Sequence, residues 1–116
     1  SIAYQTRDVL RTMKQDTGID ISELMADGGA SRNRYLMQFQ ADILDLPIVR
    51  SSDEDTTALG AAICAGLAIG YWKNLKEVSQ IHAAGRTFNP KMAADRRKRL
   101  YDGWQVAIKA TRAFKP

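Results

Sequence analysis

A chain of 116 residues, 45% hydrophobic and 26% charged, has the makeup of one ordinary globular domain that closes a core without disulfides or a structural metal. Its single cysteine, Cys64, excludes an internal disulfide and fits a reducing, cytoplasmic setting. The net charge of +4 is unevenly placed: residues 86–116 hold nine of the 17 basic and two of the 13 acidic residues, so the positive charge belongs to the tail.

The first element is a helix, because Ile2, Thr6, Val9, Leu10 and Met13 recur at helical spacing and Gly18 stands where it should stop. Its scattered charges, Arg7, Asp8, Arg11, Lys14 and Asp16, do not read as a signal peptide. The chain has no initiator methionine and no capping residues ahead of this helix, which leads us to expect an excised piece of a longer protein. Residues 21–26 read as a short strand closed by Asp27-Gly28-Gly29. Ser31 is the expected cap of a second helix running to Leu44, with Leu36, Met37, Phe39, Ile43 and Leu44 on one face. On that spacing Asp42 and Asp45 face solvent.

Residues 46–50 predict a second strand with Pro47 at its mouth. Asp53, Glu54 and Asp55 follow as favourable negative charge at a helix start. The third helix, from Thr57, is apolar nearly all round, so burial on several sides is expected, with Ala62, Gly66 and Gly70 as a close-packing stripe and Cys64 as a buried, inert thiol. The apolar stretch over residues 58–72 is rich in alanine and glycine and too short to span a bilayer comfortably, so no membrane association is expected. Residues 75–82 predict a short helix, residues 85–88 an extended segment, and Asn89-Pro90 a turn into a long last helix. There Met92, Leu100, Trp104, Ile108 and Thr111 share one side, while Arg96, Arg97, Lys98 and Arg99 lie largely on others. Strands alternating with helices predict an α/β layer arrangement with a short, mostly parallel sheet and several packed helices.

The chemically informative run is residues 26–33, at a strand-to-helix turn. Paired glycines admit a ligand to the main chain. The following helix offers unpaired N–H groups and a partial positive charge to a phosphate or nucleotide edge. The Asn33 amide both donates and accepts, which suits a base or ribose. Taken alone, Asp-Gly-Gly more often describes a tight turn that only links strand to helix, and Asp27 equally describes an Asx-type bond. His82, the sole histidine, makes no zinc site by itself, and Trp72 and Trp104 read as core anchors.

Context narrows these readings. Asp27-Gly28-Gly29-Ala30, then Asn33, then residues 36–44 resemble the corresponding run of the glycerol kinases. Residues 57–62, 65–68 and 70–72, and Phe88-Asn89-Pro90 with Tyr101 and Trp104, resemble that family in the same order. The wider group is the carbohydrate kinases built from two actin-like (ribonuclease H-like) ATPase domains. The resemblance implies that residues 1–116 are the C-terminal part of the second, nucleotide-binding domain, without the upstream domain. It implies ATP-dependent phosphorylation of a polyol, glycerol above all, with Gly28 and Gly29 bordering the adenosine and phosphates, Asn33 on the nucleoside, and Mg²⁺ held through the phosphates. Arg32 and Arg34 depart from the smaller or neutral residues expected beside Asn33. The catalytic base, an aspartate, lies upstream in the family, so no residue here is assigned to catalysis or to metal binding, and the chain alone is expected to be inactive.

The resemblance further implies a homo-oligomeric parent and a regulatory protein at the C-terminal helix. A non-catalytic nucleotide-binding or protein-interaction module is the alternative. The run 96–99 resembles the electrostatic footprint of nucleic-acid binders, yet no aromatic platform is interleaved with it, and no nucleic-acid partner is expected. Loss of the upstream part should leave apolar surface exposed and favour self-association.

Overall fold

The computed structural model describes residues 1–52, 56–79 and 85–114. The expectations placed on Asp53, Glu54, Asp55 and His82 lie outside the described residues. Helix α1, Ile2–Thr17, ends as its glycine predicts: Gly18 is left-handed, φ 69°, and its N–H reaches the Lys14 carbonyl at 2.9 Å. Strand β1 is Leu24–Ala26, shorter than the run that forecast it. A 3₁₀ turn, Gly29–Arg32, then leads into α2, Arg34–Leu44.

Ser31 does not cap α2. Its hydroxyl turns back to the Gly28 carbonyl, 2.7 Å away, because it lies inside the 3₁₀ turn. Asn33 takes the cap instead, its Oδ1 accepting from the Leu36 N–H at 3.1 Å.

Strand β2, Ile48–Arg50, lies parallel to β1 with Leu24 opposite Ile48 and Ala26 opposite Arg50. Pro47 stands just ahead of β2, where its missing N–H interrupts no strand residue, and its carbonyl accepts from the Leu24 N–H at 3.0 Å. Strand β3, Thr87–Phe88, adds to the other edge of β2 in the antiparallel sense, giving the order β1-β2-β3. The parallel character expected of the sheet thus holds for β1–β2, while β3 reverses because a long excursion returns it alongside β2. Gly85 makes that return possible: a Cβ there would overlap the Arg50 carbonyl.

The core sits where α2 lies on the sheet. Met37, Ala41, Ile48 and Phe88 are buried together, with Leu24, Ala26, Leu36 and Leu44 packed around them. Helix α1 lies along α2, with Ala3 buried and Gln40 donating to Thr6 at 3.4 Å.

The last helix, α5, covers Ala94–Ala113, so Met92 stands ahead of it. Tyr101, Trp104 and Gln105 all donate to the Asp8 carboxylate, the latter two at 2.8 and 3.1 Å. Trp104 stacks on Tyr4 at 5.4 Å, and Tyr4 meets Phe39 edge-on at 5.7 Å, so one aromatic run joins α1, α2 and α5.

Two charged residues read as solvated are structural. Asp42 accepts from the Lys91 and Met92 N–H groups at 2.6 and 3.2 Å and from Gln38 at 3.1 Å. Arg97 donates to the Asp42 and Met92 carbonyls at 2.8 and 3.0 Å and pairs with Asp45. The end of α2 needs such donors because Asp45 turns left-handed, φ 59°, leaving the last carbonyls without helical partners.

Helix α3, Thr56–Ala68, departs most from expectation. Cys64 is exposed, as are Ala58, Ala61, Ala62, Ala65 and Ala68, and Gly66 alone is buried among its described residues. The apolar composition is real, but no described element lies along the helix to cover it. Only at Gly66 does the close-packing stripe find a partner, the ring of Trp72, which a Cβ would overlap. The short helix α4 is Leu75–Ser79.

Candidate functional site

The glycine turn opens at the C-terminal ends of β1 and β2, the edge at which parallel α/β sheets receive ligands. The Ser51 N–H donates to the Ala26 carbonyl at 2.9 Å, so the two strands stay paired up to the point where the chains diverge. Beyond Ala26, Asp27 accepts from the Thr56 hydroxyl and so fastens the turn to the start of α3. Neither the Asx bond nor ligand contact forecast that link.

Gly28 is left-handed with φ 75° and ψ 177°, a conformation that a Cβ disfavours. Its carbonyl accepts from both the N–H and the hydroxyl of Ser31, at 3.1 and 2.7 Å, which sets the 3₁₀ turn. Between this turn and the end of β2 lies a cleft of about 330 Å³, lined by Gly28, Ser31, Arg32, Arg34, Arg50, Ser51 and Ser52. Arg32, Arg34 and Arg50 with Ser51 and Ser52 make it a polar, cationic hollow suited to an anion with several acceptor oxygens.

Of the residues singled out in the sequence, Gly28 lines this cleft, while Gly29 stands beside it with nothing within 4 Å of the position its Cβ would take. Asn33 does not line it; its Oδ1 is spent on the α2 cap, leaving the amide N–H₂ as the group available to a ligand. Arg50, Ser51 and Ser52 were missed. The signal that finds them is topological: once β1 and β2 are parallel neighbours, whatever follows β2 faces whatever follows β1. Among the described residues, no cluster of three His, Cys, Asp or Glu side chains could hold a metal ion.

The basic run of the tail has internal partners: Arg97 pairs with Asp45, and Lys98 with Asp102 at 2.6 Å. No helix among the described residues is long and apolar enough to cross a membrane.

The C-terminal-domain pattern of the FGGY family of carbohydrate kinases matches residues 1–69. A glycerol kinase of Lactococcus lactis subsp. lactis (strain IL1403) is 60% identical over 114 residues, 98% of this chain and 23% of that protein. One from Enterococcus casseliflavus is 53% identical over 115 residues, again 23% of its length. The crystal structure of Plasmodium falciparum glycerol kinase with ADP superposes with a TM-score of 0.84 at 32% identity, covering 99% of this chain and 23% of that one. A xylulose kinase from Lactobacillus acidophilus shares the fold, with a TM-score of 0.82 at 23% identity over 97% of this chain. The chain therefore spans under a quarter of the length of these relatives. With its small mixed sheet, flanking helices and glycine turn in the arrangement of the actin-like ATPase fold, the chain belongs to the C-terminal domain of the FGGY family of carbohydrate kinases.

Proposed function

We propose that the polypeptide carrying this chain phosphorylates glycerol to glycerol 3-phosphate at the expense of ATP, and that this chain supplies the adenosine side of the nucleotide site. The observation that carries the reading is the left-handed Gly28 turn opening on a cationic cleft at the β1–β2 edge, in a chain 60% identical to a glycerol kinase. Gly28 and Gly29 let the nucleotide approach the main chain, and the Asn33 amide donates to the nucleoside. Arg34 and Arg50 favour the anionic end of the ligand.

Phosphoryl transfer requires in-line placement, a base for the attacking hydroxyl and Mg²⁺ to neutralise developing charge. Among the described residues no carboxylate cluster fits a metal cage; in this reading Mg²⁺ enters through the phosphates, and the base and the polyol site belong to polypeptide outside these residues. The isolated chain binds nucleotide weakly and transfers no phosphoryl group. A cytoplasmic location, a homo-oligomeric parent and a regulatory partner at α5 complete the proposal.

Calorimetry with MgATP tests it through Gly29→Trp and Asn33→Asp. Nothing lies within 4 Å of the position a Cβ at Gly29 would take, so a side chain can start there without a clash, and the thermal midpoint separates loss of ligand approach from loss of folding. Asn33→Asp keeps the capping oxygen and removes the amide donor. Loss of ATP binding in both, with the thermal midpoint held, supports the reading; unchanged affinity in Gly29→Trp places the nucleotide elsewhere.

A further inference from the structure

We propose that a second cleft, between α1, the connection after it and the end of α2, binds a small organic anion carrying a phosphate or carboxylate head on an apolar body. It has a volume of about 310 Å³ and shares no lining residue with the cleft at the glycine turn. That volume lies at the lower end of the range for small-molecule sites.

Arg7, Arg11 and Lys14 stand at i, i+4 and i+7 of α1 and line one side. Leu10, Ile21, Leu44 and Leu46 supply the apolar part of the lining, and Asp20 its one carboxylate, so three cations face one acid there. This combination distinguishes the cleft from a solvated basic face, which has no need of leucines brought in from a second element.

The cations are poised rather than spent. The Arg7 guanidinium is held over the Tyr101 ring, 4.1 Å from its centroid, and its Nη1 is buried without a hydrogen-bond partner. An unmet buried donor is costly, so a turn of the Arg7 guanidinium toward an anion in the cleft would be favoured by the charge-assisted bond it gains. Arg11 stands one turn further along α1 with its side chain exposed at the cleft. Neither guanidinium has a carboxylate partner among the described residues. Lys14 pairs with Asp20, but both side chains are largely exposed, at 60% and 81%, so an incoming anion displaces that pair at little cost. The apolar lining selects against bare phosphate, which gains nothing from it.

The test is calorimetric titration of phenyl phosphate into the full-length polypeptide with MgADP present in excess, so that the glycine-turn cleft is not open to the probe. Phenylacetate distinguishes a carboxylate head from a phosphate one, and inorganic phosphate reports on the head alone. Saturable binding of phenyl phosphate or phenylacetate is expected, weaker by about tenfold in Arg11→Gln and in Lys14→Gln. Both replaced side chains are exposed, and unchanged circular dichroism would confirm that the variants fold. Equal affinity for inorganic phosphate, equal affinity in both variants, or no saturable heat with either organic anion would overturn the proposal.

Discussion

Asp8, on α1, receives three donors from α5. One carboxylate accepts from Tyr101, Trp104 and Gln105, so Asp8→Ala strands three donors at a partly buried junction. A loss of about 1–3 kcal/mol of unfolding free energy is expected in urea titrations, with Asp8→Asn recovering part of it. Tyr101 makes the same junction sensitive to alkali. Burial, and then the bond to Asp8, raise its phenol above the ordinary tyrosine range. The folded state therefore holds this proton more tightly than the unfolded chain. Its contribution is complete below the unfolded pKa of about 10 and is lost as pH rises through the higher folded value. Denaturation midpoints should fall through that window, and Tyr101→Phe should flatten the fall; an identical alkaline limb in the variant would refute the assignment.

At the scale of elements, caps and close approaches decide where helices begin and what lies against them. Asn33→Ala should cost about 1 kcal/mol through the lost α2 cap, a stability effect that Asn33→Asp should not show. Gly66→Leu places a side chain where the Trp72 ring lies, so a destabilisation of about 1–3 kcal/mol with a change in tryptophan fluorescence is expected. The helices, the glycine stop at Gly18 and the strand-turn-helix at Gly28 were legible because they depend on spacing and on single residues with special conformations. What was not legible depends on partners distant in sequence. Asp42 looks solvated by helical spacing, yet it anchors N–H groups 49 and 50 residues away. Arg97 looks like one of four equivalent cations until the left-handed Asp45 presents it with carbonyls to satisfy. The direction of β3, and the service of Arg50, Ser51 and Ser52 to the cleft, follow from sheet topology, which local pattern does not encode.

For the molecule as a whole, the radius of gyration of 18.0 Å exceeds the roughly 13 Å expected of a compact chain of this length. The extent of 55 Å along the longest axis agrees with a helix, α3, whose apolar residues stand uncovered. Concentration-dependent sedimentation of the 116-residue chain is expected, and Ala65→Glu, a charge placed on that exposed face, should suppress it. A concentration-independent monomer would refute the expectation.

The three bonds to Asp8 also carry a consequence for biosynthesis. They span 93 to 97 residues, so at translation rates of roughly 5–20 residues per second α1 leaves the ribosome about 5–20 s before its partners. During that interval, among the described elements, α1 rests on α2, and Tyr4 has Phe39 but no Trp104. Within these residues α5 is thus the latch on α1, and a ribosome stalled before residue 101 would leave the α1 face that meets Tyr101, Trp104 and Gln105 open to chaperones and proteases.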